Sequence, residues 1–217
     1  MNTDHTANLG RINRQWALVT ADAAIHAEKA QRANAYYQQA LSLSPHTAGL
    51  WNEWAVLNYQ VMSDGDTAQA RLDESFRLDK NFPQTYEIQG NLDAWRASQT
   101  ADAAAKQAYF QIAIEAYRQG IEVAARLGAS DFNLRIGLAS VYAQTNQPQA
   151  AIDQYLLTAP KAGGNQWQIY QAVAELYRQT GDVAQALNYG QLALNGAPDA
   201  NKPQIQTWLN ALTTITP

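Results

Sequence analysis

The sequence predicts an all-α solenoid of antiparallel helical hairpins closed by a C-terminal helix, and three observations carry that prediction. The first is internal repetition. The segment FNLRIGLASVYAQTNQPQAAIDQYLLTAP from Phe132 aligns with WQIYQAVAELYRQTGDVAQALNYGQLALNGAP from Trp167 at an offset of 181 − 146 = 35 residues, matched on the turns Gln144-Thr145-Asn146-Gln147 and Gln179-Thr180-Gly181-Asp182. Self-similarity at such a period marks repeat architectures. The second is helical spacing: Tyr170, Val173, Ala174 and Tyr177 share one face, and after the turn Ala186, Gly190 and Ala193 form a stripe of small residues. The third is punctuation. Pro198 ends the last hairpin, because proline cannot continue a helix.

Taken in order, residues 1–13 read as a flexible N-terminal segment and five hairpins follow, over 14–47, 48–83, 84–128, 131–165 and 166–199. The first is clear in its second helix, through Ala33, Tyr37, Ala40 and Pro45, and weaker in its first, around Trp16 to Ala27. The second has Trp54, Leu57 and Val61 before the turn Asp64-Gly65-Asp66, where Gly65 is expected to supply the left-handed conformation. Its second helix looks degenerate: Ala70 fits, and Glu74 stands where an aromatic is expected. The third carries Ile88, Leu92 and Trp95 inward, then Ala113, Tyr117 and Gly120 about nine residues late. The alanine-rich stretch Thr100 to Ala108 strongly favours helix. One long second helix is therefore predicted from about Ala101 to Leu127, with Thr100 as N-cap and Asp102 in the first turn. The fourth hairpin uses Leu138, Ala139, Tyr142, Ala151 and Tyr155. Residues 201–217 form a capping helix and tail, with Ile205, Trp208, Leu209 and Leu212 covering the last apolar surface.

These residues resemble the tetratricopeptide (TPR) signature, W-x2-L-G-x2-Y, then A-x3-F, then P. The resemblance extends over most of the chain and implies a right-handed superhelix whose first helices line a concave groove. Carried over residue by residue, that groove takes Asn52, Tyr59 and Met62 from the second hairpin. It takes Tyr86, Gln89, Asp93 and Arg96 from the third, Asn133, Ile136, Ser140 and Gln144 from the fourth, and Gln168, Gln171, Glu175 and Arg178 from the fifth. Chaperone-binding members use a Lys/Asn/Arg clamp for a C-terminal carboxylate. The corresponding places here hold Leu18 and Asp22, or Ala55 and Tyr59, which departs from that clamp. A groove rich in amides and aromatics suits an extended peptide backbone, because Asn and Gln both donate and accept. The same chemistry suits a glycan.

Composition narrows the classes. The chain has 217 residues, 47% hydrophobic and 16% charged, with a net charge of −4. A nucleic-acid partner needs a basic face, which this balance argues against. With no cysteine there is no disulfide, thiolate nucleophile or cysteine-ligated zinc. No apolar run nears the ~20 residues of a membrane span, and Met1 to Gly10 lacks the plan of a signal peptide. His5, His26 and His46 form no ligand pair, so no metal is expected. Asp64-Gly65-Asp66 lacks the later ligands of a calcium loop. Lys161-Ala162-Gly163-Gly164 lacks the GK[ST] of a phosphate loop. No nucleophile–base arrangement appears, so neither an enzyme nor a cofactor is expected.

The function expected is thus a non-catalytic scaffold presenting a groove to a protein or peptide. A second expectation comes from SLSPHTAGLWNEWAVLNYQ, Ser42 to Gln60. This stretch resembles the soluble TPR tail of bacterial O-antigen ligase/polymerase-type membrane proteins, which implies an extracytoplasmic domain in cell-envelope polysaccharide assembly. A third is a self-assembling adaptor in which the long helix after Thr100 makes a homo-oligomeric contact. The compartment, cytoplasmic or extracytoplasmic, stays open.

Overall fold

The computed structural model describes residues 2–215, with no side chain described for residues 214 and 215. Met1 and the last two residues of the predicted tail, Thr216 and Pro217, lie outside the described residues. The described chain is all-α: α1 (Thr3–Val19), α2 (Ala23–Leu43), α3 (Ala48–Gln60), α4 (Gly65–Leu78), α5 (Pro83–Gln99), α6 (Ala103–Leu127), α7 (Phe132–Gln144), α8 (Pro148–Thr158), α9 (Gln166–Thr180), α10 (Val183–Gly196) and α11 (Lys202–Ile215). Consecutive helices pair as α1/α2, α3/α4, α5/α6, α7/α8 and α9/α10, and α11 packs on α10. This is the TPR solenoid fold. The chain divides into two compact units, Met1–Asp131 and Phe132–Pro217.

The N-terminal expectation is corrected. Residues 3–19 are a helix, not a flexible segment, and the span Trp16 to Ala27 straddles a turn instead of forming one helix. The local chemistry explains both. Asn2 caps α1 by accepting from the Asp4 N–H at 2.8 Å, and Asp22 caps α2 by accepting from Ala24 and Ile25. Gly10 in α1 lies against the Tyr37 ring, where an added Cβ would come within 3.2 Å of ring carbons.

That glycine–tyrosine pair exposes a longer repeat. Gly90 meets Tyr117 in the same way, and both members lie 80 residues on (90 − 10 and 117 − 37). The sequence Thr-Ala-Asp-Ala-Ala occurs at Thr20–Ala24 and again at Thr100–Ala104, also 80 apart. In both copies the aspartate caps the second helix and its own N–H donates to the threonine hydroxyl, at 3.3 Å for Asp22 and 3.2 Å for Asp102. The long helix is present as α6, 25 residues capped by Asp102 and ended by left-handed Gly128. Thr100 belongs to the end of α5. The extended hairpin is therefore built to the same plan as α1/α2 and is not peculiar to one repeat.

In the first unit, α3 is covered on two sides. Trp54, Leu57 and Val61 join the cluster of Ala33, Tyr37 and Ala40, whereas Ala55 and Tyr59 join Ala68, Leu72, Ile88 and Leu92. The register of α4 differs from the expected one: Ala68, Leu72 and Ser75 are buried and Ala70 is exposed. The cause lies in the turn. Ser63, not Gly65, takes the positive φ of 54°, Asp64 caps the helix, and Gly65 is already helical. Gly65 is needed for another reason, since a Cβ there would stand 2.9 Å from the Trp95 ring.

The Asp64 cap makes stability acid-sensitive. Its carboxylate accepts from the Thr67 N–H at 2.9 Å, and hydrogen bonding to Thr67 holds its pKa below the ordinary value. A lowered folded pKa contributes stability above the unfolded value, and this is lost as pH falls through the folded one. Asp64→Ala is expected to cost about 1 kcal/mol at neutral pH. The gap from wild type in urea melts should narrow steadily in acid.

In the second unit, Gly181 ends α9 in the left-handed conformation, with its own N–H and that of Asp182 closing on Arg178 and Tyr177. The small-residue stripe of α10 is buried, and Gly190 opens toward the closing helix. A Cβ there would meet Leu209 and Trp208 at 2.7 Å. Ile205, Leu209 and Leu212 of α11 are buried, as a cap requires.

Candidate functional site

The second unit holds a pocket of about 420 Å³ where the N-terminal ends of α7 and α9 meet the C-terminal end of α8 and the link after it. Phe132 and Ile136 come from α7, Tyr155 from α8, and Gln168, Ile169 and Ala172 from α9; Lys161, Ala162 and Asn165 line it from the link. The link consists of two short 3₁₀ turns, Ala159–Lys161 and Gly163–Asn165, with Gly163 at φ 55°. Those turns leave a gap between α8 and α9 that a tight connection would close. The wall is aromatic and aliphatic, and amides of Asn165 and Gln168 stand exposed at the rim. Burial raises the pKa of the Tyr155 hydroxyl. The pocket thus combines an apolar wall with polar groups at its edge, the composition common to ligand-binding clefts.

Of the expected groove residues, the structure brings Ile136 and Gln168 together here. Asn133, Gln144 and Arg178 are exposed outside this pocket, and Ser140 and Gln171 are half-buried. Gln144 donates to Ser140 within α7. Glu175 is turned to the closing helix. It pairs with Arg178 at 2.5 Å and accepts from the Trp208 indole N–H at 3.3 Å, hydrogen bonds that hold its pKa low.

The first-unit assignments need larger correction. Asn52, Tyr59 and Asp93 are at most 3% exposed and cannot line an open face. Asn52 donates to Thr85 at 3.0 Å, and Tyr59 packs against Trp95 with ring centres 5.9 Å apart. Burial pushes the Tyr59 hydroxyl up to about 12. Gln89, Asp93 and Arg96 face α4, not a groove. Gln89 and Arg96 both donate to Asp93 and to Gln69, and Arg96 also donates to the Gly65 carbonyl. Tyr86 donates to the Lys80 carbonyl and packs edge-on against Phe76. Met62 is exposed in the α3–α4 turn.

The reason is that α3 and α5 are packed on two sides, so little of either stays open. On α3, Glu53 stays half-buried and Gln60 exposed. Arg11 makes a two-pronged pair with Glu53, at 2.8 and 2.6 Å, tying α1 to α3. Of the positions compared with a carboxylate clamp, Ala55 and Tyr59 are buried, whereas Leu18 is exposed and Asp22 is the exposed α2 cap. The signal that fixes the register is the glycine–tyrosine spacing of Gly10/Tyr37 and Gly90/Tyr117. Among the described residues, no group of three or more His, Asp and Glu comes together to hold a metal, and no helix is long and apolar enough to cross a membrane.

No protein-family model matches the chain, and no curated protein matches it. Solved structures do. A thermophilic TPR protein of Thermus thermophilus is similar over 98% of this chain and 100% of that one, with 16% identity and a TM-score of 0.68. Yeast Tom70 is similar over 98% of this chain and 40% of that one, at 15% identity and TM-score 0.73. PilW, a type IV pilus biogenesis factor, covers 95% of this chain and 87% of that one, at 12% identity and TM-score 0.67. At such identities the likeness establishes the fold, and fold alone does not assign function.

Proposed function

We propose that this chain is a non-catalytic protein-interaction scaffold whose second unit captures a peptide segment of a partner by one apolar side chain. The observation that carries this reading is the pocket bounded by Phe132, Ile136, Tyr155 and Ile169, with amides at its mouth. The similarity in fold to TPR proteins supports it. A peptide library displayed against the purified protein tests it. Peptides selected by wild type should share an aromatic or large aliphatic anchor, and Ile136→Ala should weaken them about five- to thirtyfold, the range of a 1–2 kcal/mol anchor. Gln168→Ala should weaken them less. Affinity unmoved by both changes would remove the pocket from the binding face.

A further inference from the structure

The two hairpins related by 80 residues are alike in build and unlike in cover. On α5 the side turned to the preceding hairpin is filled. Leu92 is buried among Ala55, Tyr59, Ala68 and Leu72, and Gln89 and Arg96 donate to Gln69 and to the Gly65 carbonyl of α4. An antiparallel helix pair, α3 and α4, thus covers that side of α5. The matching positions on α1 are Leu9 for Gln89, Ile12 for Leu92 and Trp16 for Arg96.

The two first helices present these positions in the same direction. Gly10 and Gly90 face Tyr37 and Tyr117, Ala17 and Ala97 are both buried, and so are Asn13 and Asp93. A cation lies over a ring at the same two positions in each copy, with cation and ring exchanged between the helices. Lys29 stands over Trp16 at 4.0 Å, and Arg96 stands over Tyr109 at 5.9 Å. Yet Ile12 is 59% exposed, Trp16 50% and Val19 70%. Lys29 covers one side of the Trp16 ring, and half of that residue is still open. Spaced by four and three residues, the three side chains form one strip along α1. Apolar side chains gathered in one exposed patch mark an interaction surface.

Three features select the occupant. The covered copy shows that this face takes an antiparallel helix pair, which α1 and α2 of another copy supply. The strip and its polar flanks, Asn8 and Gln15, carry no charge, so two copies meet without repulsion. The charged neighbours Arg11 and Lys29 are already paired, with Glu53 and Glu28. Finally, Ile12 and Val19 lie on either side of Trp16. Antiparallel pairing about Gln15 and Trp16 sets Ile12 of each copy against Val19 of the other, the self-complementary contact that two-fold symmetry requires.

We infer that two copies of this chain associate through α1, with Ile12, Trp16 and Val19 of each covering the same strip of the other. The contact lies on α1 and not on the long helix α6. It belongs to the first unit and does not depend on the pocket of the second.

Sedimentation equilibrium of the full chain tests this. The mass is expected to rise with concentration from 23.9 kDa toward twice that value. Ile12→Glu, at an exposed position, should leave the circular dichroism melt of the dilute protein unchanged and weaken association on the order of tenfold or more, as loss of a central anchor does. The chain has no cysteine, so single cysteines report the geometry. Gln15→Cys, beside the two-fold axis, should form an inter-chain disulfide under mild oxidation much faster than Leu157→Cys, which is exposed on α8. Adding Ile12→Glu should abolish that difference. A mass that stays at one copy at every concentration would give the strip to another helical partner and overturn the inference. Association unmoved by Ile12→Glu, or equal cross-linking of the two cysteine variants, would overturn it as well.

Discussion

Replacing Tyr117 by alanine is expected to destabilise the first unit by about 3–5 kcal/mol, the range for deleting a large buried aromatic side chain. The ring is 1% exposed, its hydroxyl donates to Asn91 at 2.8 Å, and it fills the space left by the missing side chain of Gly90. A Cβ on Gly90 would stand 2.6 Å from two ring carbons of Tyr117, so the two positions are one packing unit. In the wild-type background Gly90→Ala carries opposing effects. Alanine gains about 1 kcal/mol in helix propensity, and the clash with an immobile ring costs about 1–3 kcal/mol. The clash should win. In the Tyr117→Ala background the ring is gone, and Gly90→Ala should become stabilising by up to about 1 kcal/mol. Urea melts of the four proteins check this sign reversal. A Gly90→Ala effect that is the same in both backgrounds would mean that the glycine and the ring are not packed as described.

The sequence carried the helices well because apolar residues at helical spacing need a partner face wherever they occur. The clearest example is the α9/α10 hairpin with its closing helix, where Val173, Ala174, Ala186, Ala193, Ile205 and Leu209 are all buried. Register and exposure were harder to read. Asp64-Gly65-Asp66 has the composition of a turn, yet the chain turns at Ser63, which moved the expected core of α4 by two residues. The Thr-Ala-Asp-Ala-Ala pair is plain at 80 residues and invisible at a period near 34. The pocket residues Phe132, Tyr155 and Ile169 sit at ordinary packing positions. Periodicity tells which face a residue lies on, but not whether the neighbouring link is wide enough to leave that face open. Asn52 and Asp93 read as groove residues because they lie on first helices one helical face away from the signature stripe. Both are buried: Asn52 donates to Thr85 while its Oδ1 has no partner, and Asp93 accepts from Gln89 and Arg96.

The α4 register gives the second large effect, because its two candidate core positions make opposite demands. Leu72 is fully buried among Ala55, Tyr59, Ile88 and Leu92, so Leu72→Ala should cost about 2–5 kcal/mol through lost transfer energy and the cavity left behind. Glu74, at the position where the repeat pattern expects an aromatic, pairs with Arg77 at 2.8 Å at the surface. Glu74→Ala should therefore stay within about 0.5 kcal/mol of wild type. Ser75 supports the same register. It is 0% exposed and its hydroxyl lies 2.9 Å from that of Thr85, a contact that only the buried face of α4 can make. Urea melts of Leu72→Ala and Glu74→Ala side by side decide the matter. A large cost at Glu74 with a small one at Leu72 would restore the register expected from the repeat pattern. It would also take Gly65 away from the Trp95 ring it lies against.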